Sequence, residues 1–242
     1  MPVRGLLLAF ALLLPCRAQI VVHLSAETNR AFDDYVKSTE ARMRTDAPLD
    51  PTPGNVTIAA GNASVPFSIK DGLVHDWIGS TIAPGASMDK ALALLQGYDD
   101  YKKIYGPEVT DSKLLSHDGN HWHMFLRLYK RQVFTIVLNT EYEIEYRPLG
   151  GGRWAIDSRS TKVAEVDDGK EQMPGTGWGF VWRLNSYWLL EPRPQGLYLQ
   201  CRSISLSRDI PAGLGWMVKP MVIQFPRDSL KSTLEATVRA LR

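Results

Sequence analysis

The residues whose types could do recognition chemistry are concentrated on three consecutive strand-like runs in the second half of the chain. Arg159 shares a face with Asp157. Arg183, Asn185 and Tyr187 alternate along the next run, and Arg202 lies on the one after, with Tyr198, Gln200 and Ile204 on its face. A guanidinium held inside a fold must meet a counter-charge or a polar ligand, because a lone buried charge is very costly. A carboxylate, a phosphate or a quinone oxygen is what such a fork recognises. Arg159, Arg183, Asn185, Tyr187 and Arg202 are therefore the candidate ligand-binding residues. The alternative left open is that they line a solvated outer face, or pair with Asp157.

Other chemistry finds less support. His121 and His123 lie two apart on one strand face, and His75 is a possible third metal ligand, but no carboxylate or cysteine accompanies them at ligand spacing. The opposite face carries Trp122, Met124, Leu126 and Leu128, so the two histidines are expected to face water. Asp99-Asp100 and Asp167-Asp168 sit beside turn residues, without a partner that would make a general acid/base pair. Ser158 and Ser160 have no nucleophile-elbow context. Gly150-Gly151-Gly152 joins two strands and opens no helix, so it is a turn rather than a phosphate cradle. Cys201, in an alternating apolar run, reads as a small buried residue. No catalytic residue, no metal site and no cofactor is predicted.

The elements that position these residues follow from periodicity. Gly72 to the end reads as strand, short helix, six strands and a long amphipathic helix. Ser87 caps a helix with Met88, Ala91, Leu92 and Leu95 on its inner face. Glu141, Glu143 and Glu145 alternate with Tyr142, Ile144 and Tyr146, a period of two that separates a wet face from a dry one. From Pro226 a stripe of Leu230, Leu234, Val238 and Leu241 marks the closing helix. Before it, Ile210 to Phe225 is apolar but broken by prolines and glycines, and reads as a kinked helix or lid. Trp216, Met217 and Met221 there are candidate lid residues, since methionine adapts to irregular apolar ligands. Sequential antiparallel strands with helices on one face give an α+β fold: a curved antiparallel sheet of about seven strands wrapped on a long C-terminal helix.

Upstream, a helix from Ser25 to about Arg44 presents Phe32, Tyr35, Val36, Thr39 and Met43 on one stripe. A Pro/Gly-rich segment, Asp46 to Asn55, follows it. Residues 1–18 read as a secretory signal: Arg4, an apolar run from Leu6 to Leu14, and small residues at Cys16 and Ala18 before a cut at Gln19. The organisation expected is signal (1–18), helix plus linker (19–70) and main domain (71–242), in a periplasmic or secreted protein. The 242-residue chain carries a formal charge of +2, and losing Arg4 and Arg17 brings it to neutrality. Without a long basic run there is no electrostatic footprint for nucleic acid, and the mature chain has no apolar run long enough to span a bilayer.

Two stretches resemble the START-like, or helix-grip, superfamily. Ser87 to Leu115 places Asp100, Tyr101, Pro107, Val109 and Ser112 as in its helix-to-strand run. Phe180 to Pro211, with the helix beyond, resembles the bacterial polyketide-cyclase and coenzyme-Q-binding branch. The resemblance implies a helix-grip fold with an apolar cavity between sheet and C-terminal helix, holding a lipid, quinone or polyketide-like molecule. The reading is an exported, non-catalytic binding protein for a hydrophobic small molecule. Two alternatives stand beside it. One is a cyclase or dehydratase acting on a polyketide-like substrate, which needs convergent Arg, Tyr and Asp side chains in the cavity. The other is an envelope interaction module whose N-terminal helix docks a protein partner, which needs Phe32, Tyr35, Val36 and Met43 exposed.

Overall fold

The computed structural model describes residues 21–43, 48–131, 135–210 and 215–242, the last segment without the side chains of 215–222. The signal-like residues 1–18 lie outside it. Helix α1 (Ala26–Met43) starts where Ser25 Oγ accepts the Thr28 amide at 3.0 Å, the capping bond its position predicts. Strands β1 (Thr57–Ala60) and β2 (Phe67–Ile69) follow, then β3 (Gly72–Ala83) and α2 (Met88–Gln96), with Ser87 as its cap. A single 3₁₀ turn at Tyr98–Asp100 leads into α3 (Tyr101–Ile104).

The rest is β4 (Val109–Asp118), β5 (His121–Arg131), β6 (Thr135–Gly150), β7 (Arg153–Asp167), β8 (Lys170–Glu171), β9 (Arg183–Arg193), β10 (Gly196–Arg208) and α4 (Gly215–Leu241). The main antiparallel path runs β1-β3-β10-β9-β7-β6-β5-β4, with β2 on β3 and the short β8 on β7. The sheet is therefore broader than the seven strands expected. It also begins earlier: β1 and β2, from the segment read as linker, pair with β3 and belong to it.

Alternation along each strand sorts side chains to two faces. On β6, Tyr142, Ile144 and Tyr146 are buried and Glu143 is exposed. The inner face packs on α4 through Leu230, Leu234, Val238 and Leu241, the stripe read from the sequence. Gly79 of β3 sets how closely the helix approaches. A Cβ there would lie 2.4 Å from Leu234 Cδ1 and 2.8 Å from Ile58 Cδ1, so only a bare backbone accommodates α4 at this point. The helix is thus seated on the β1-β3 side of the sheet.

The outer face is covered by α1. Phe32 and Val36 are buried in a second apolar cluster with Val74, Trp182, Ile204 and Leu206, and Tyr35 and Met43 pack against it. The stripe of α1 is occupied by the chain's own sheet, which removes the reason for reading that helix as a docking element for another protein.

A cavity between the sheet and the C-terminal helix

With α4 seated on β3, a cavity of about 430 Å³ remains between the helix and the β5-β6-β7-β9-β10 portion of the inner face. That volume lies within the roughly 300–1,000 Å³ of small-molecule sites. Its wall is formed by Met124 and Leu126 of β5, Ile144 of β6, Ile156 of β7, and Leu184 and Trp188 of β9. Leu230 closes it from α4. Gly106, Pro107, Ser232 and Arg239 line it and are exposed, marking where it meets solvent. The charged lining groups include Glu108 and Lys130, which pair with each other, Lys130 also lying 5.1 Å from the centre of the Phe225 ring.

One end is closed by tyrosines from the 3₁₀ turn, α3 and β6. Tyr146 Oη donates to the Leu95 carbonyl at 2.8 Å and accepts from Tyr98 Oη at 2.7 Å. Tyr101 Oη donates to the same carbonyl at 2.7 Å, and Tyr105 Oη meets Thr237 Oγ1 at 3.1 Å. Burial holds the Tyr98, Tyr101 and Tyr146 phenols well above their ordinary range and lifts Tyr105 to about 12. These are neutral hydroxyls whose hydrogen bonds are already made within the protein. They form a floor whose polar atoms are satisfied from behind.

The arginines predicted for the cavity wall lie on the opposite face. The register pairs Asp157 with Tyr187 and Tyr187 with Arg202, so these three form one row across β7, β9 and β10. That row faces α1. Glu40 of α1 accepts from Arg159 Nε at 3.0 Å and Nη2 at 2.8 Å, and from Tyr187 Oη at 2.8 Å. Asn185 accepts the Ser160 amide at 3.2 Å and donates to Tyr187 Oη at 3.3 Å. Arg183 Nη1 donates to Asn29 Oδ1 at 2.6 Å, reaches Asp33 at 3.1 Å and lies over the Phe32 ring. Arg202 makes a two-point bond with Asp76, both contacts at 2.7 Å, and reaches the Gly61 carbonyl at 2.7 Å. Arg159, Arg183, Asn185, Tyr187 and Arg202 thus fasten α1 and the 60–62 segment to the back of the sheet. Trp216, Met217 and Met221 belong to the side chains outside the description, although the backbone there is continuous with α4.

A consequence is directly measurable. Glu40→Ala removes the shared acceptor of Arg159 and Tyr187, and should cost about 1–2 kcal/mol in urea unfolding. It should leave affinity for any cavity ligand unchanged. A change in ligand affinity with stability intact would return these residues to a ligand-binding role.

The residues that sequence reasoning did not select are those of the other parity. Ser158, Ser186, Ser203 and Ser205 line the cavity, with Cys201 beside them. Burial pushes the Cys201 thiol up, away from the reactive thiolate. His75 is buried, with Nε2 3.1 Å from Ser207 Oγ, and burial lowers it to about 4. His123 sits beside Glu141 at 3.4 Å, on the outer side of β5. Among the described residues no cluster of His, Cys, Asp or Glu could hold a metal ion.

A broad antiparallel sheet curled around a long C-terminal helix, with a helix inserted after its first long strand and a cavity between, decides the architecture. This is the helix-grip fold. No family model matches the chain and no curated protein matches it. Solved structures similar to it include a STAR-related lipid transfer protein from Xanthomonas axonopodis, 20% identical with a TM-score of 0.46, covering 76% of this chain and 98% of that one. The Zhui aromatase/cyclase from Streptomyces sp. R1128 is 13% identical with a TM-score of 0.43, covering 70% and 92%. Human STARD10 is 9% identical with a TM-score of 0.46, covering 88% and 81%. The helix-grip assignment stands on the element order and topology of this chain. Among the described residues no helix is long and apolar enough to cross a membrane.

Proposed function

We propose that this helix-grip chain is an exported, non-catalytic binding protein that holds a lipid-like, quinone-like or polyketide-like molecule between its sheet and α4. The observation that carries the reading is the cavity of about 430 Å³ with its aliphatic and aromatic walls. Removing apolar ligand surface from water there contributes about 25 cal/mol per Å². The charged groups of the last strands, which an enzymatic reading would need inside, are engaged on the other face, Arg159 and Arg183 with α1 and Arg202 with Asp76 of β3. Export draws its support from the leader-like residues 1–18.

Native mass spectrometry on protein recovered from the exported fraction addresses both parts. The expected result is a chain beginning at Gln19 with a hydrophobic molecule bound, and one-to-one binding of N-phenyl-1-naphthylamine after that molecule is removed. Ser186→Trp, which puts an indole into the cavity, should weaken the dye at least tenfold while leaving the far-ultraviolet spectrum unchanged. A folded wild-type protein that carries no ligand and takes up no dye would end the binding reading.

A further inference from the structure

The part of the cavity wall built by β7, β9 and β10 is apolar except along one line, and that line has a register. Ser158 of β7 pairs with Ser186 of β9, and Ser186 pairs with Ser203 of β10. Ser205 lies two residues further along β10, hence on the same face. All four line the cavity. Neighbouring strands lie about 4.8 Å apart, so the row of three hydroxyls spans roughly 10 Å across the wall.

These hydroxyls open on the cavity and are not engaged with other described residues. Ser158 is 6% exposed and Ser205 is 5% exposed. Neither hydroxyl makes a hydrogen bond to another described residue, whereas Ser160, Ser207 and Ser112 on the same sheet all do. A buried hydroxyl without a partner costs about 1–3 kcal/mol. Ser158 and Ser205, in place of alanine or valine on an apolar wall, are therefore a standing cost that a ligand with matching polar atoms relieves, and the half-buried Ser186 and Ser203 continue the same polar line.

The other polar groups of the cavity do not compete for that role. The tyrosine floor is closed on itself and on the Leu95 carbonyl. On α4, Thr233 and Thr237 return their hydroxyls to carbonyls one turn earlier, at 2.9 and 2.8 Å. On the sheet side, the serine row remains open toward the interior, opposite Ser229 of α4.

The row also restricts the ligand's charge. Lys130 is paired with Glu108, and Arg239 is exposed, so an ionised group on the serines would be buried without a counter-charge. That arrangement is costly by several kcal/mol. Hydroxyls both donate and accept, which suits alcohols, esters and ketones alike.

We propose that the cavity selects an uncharged amphiphile whose hydroxyl or carbonyl oxygens run along one edge and rest on the Ser158–Ser186–Ser203 row. The inference rests on the binding reading above and adds the chemical class of its ligand. Competition against N-phenyl-1-naphthylamine tests it with three competitors of equal chain length: 1-monolauroylglycerol, methyl laurate and laurate, at pH 8. Wild-type protein should prefer the monoacylglycerol to the methyl ester by about tenfold, the scale of one or two neutral hydrogen bonds, and should bind laurate weakest. The Ser158→Ala, Ser186→Ala, Ser203→Ala triple variant should bind the dye as before and lose that preference. Ser186→Ala alone, at the most accessible of the deep positions, should reduce it about threefold, and serves if the triple variant does not fold. Dye binding with equal affinity for all three competitors, or a ranking unchanged by either variant, overturns the proposal while leaving the binding reading intact. Loss of dye binding in wild-type protein removes the binding reading itself, and this inference with it.

Discussion

Asp76→Ala is expected to cost about 3–5 kcal/mol of folding stability, the largest effect of any single substitution considered for this chain. Asp76 and Arg202 bury their side chains to 1% and 3% exposure and meet at two points of 2.7 Å. The carboxylate also accepts Tyr35 Oη at 2.7 Å, and burial together with that charge lifts the Tyr35 phenol to about 12. Deleting the carboxylate takes from the buried Arg202 guanidinium its two-point partner, and from Tyr35 its acceptor. Urea unfolding of the purified variant reads the loss. Replacing both partners by apolar residues, Asp76→Leu with Arg202→Met, should recover most of it, because the penalty belongs to a buried charge that has lost its two-point carboxylate. Hydrogen exchange should show α1 opening before the sheet, since Tyr35 joins that helix to β3 through Asp76. A variant within 1 kcal/mol of wild type would mean the pair is not buried as described. Dye affinity of the folded variant should not change, because this network lies behind the cavity wall.

That separation of faces explains what was legible in the sequence. Element order, helix caps and the stripe of α4 are local signals: Ser25 and Ser87 cap where they should, and Leu230, Leu234, Val238 and Leu241 are all buried. Parity was legible too, since Arg183, Asn185 and Tyr187 do share one face. Which face is concave was not, because both faces of β9 are covered. On a sheet with one wet side, arginine marks the outside. Here α1 returns over the outer face and supplies Glu40, Asp33 and Asn29, so the partly covered guanidiniums of Arg159 and Arg183 are paired by side chains more than a hundred residues away in sequence. The contribution of β1 and β2 was hidden for a related reason. Their strands are short and set among Pro, Gly, Asn and Ser, and pairing with β3 fixes them where propensity alone does not. The serines escaped notice because serine in a strand is ordinarily a surface residue; the informative signal was their sharing a parity with Leu184 and Trp188.

The second large effect is a dependence of stability on pH. His75 lies on β3, 2% exposed, opposite Ser205 in register and bonded to Ser207. Burial alone lowers it from 6.5 to about 4. A depressed value means that the folded state keeps the ring neutral where the unfolded chain has already taken up a proton. The stability it confers is complete above pH ~6.5, falls as the pH drops toward ~4, and is lost below that. The shift corresponds to about 3 kcal/mol at most. Glu165 acts in the opposite sense. It accepts the Trp178 and Phe180 amides at 2.7 and 2.8 Å, yet burial raises its carboxyl above the usual range. The folded state therefore gains a proton there before the unfolded chain does, which offsets part of the loss at the acid end. Comparing His75→Leu with wild type isolates the histidine, since Glu165 and the other carboxylates contribute equally to both. Urea midpoints from pH 8 to pH 4 should fall for both proteins, with wild type losing about 3 kcal/mol more across the window. Parallel curves would show that His75 is protonated in the folded protein, and that its site admits water and charge.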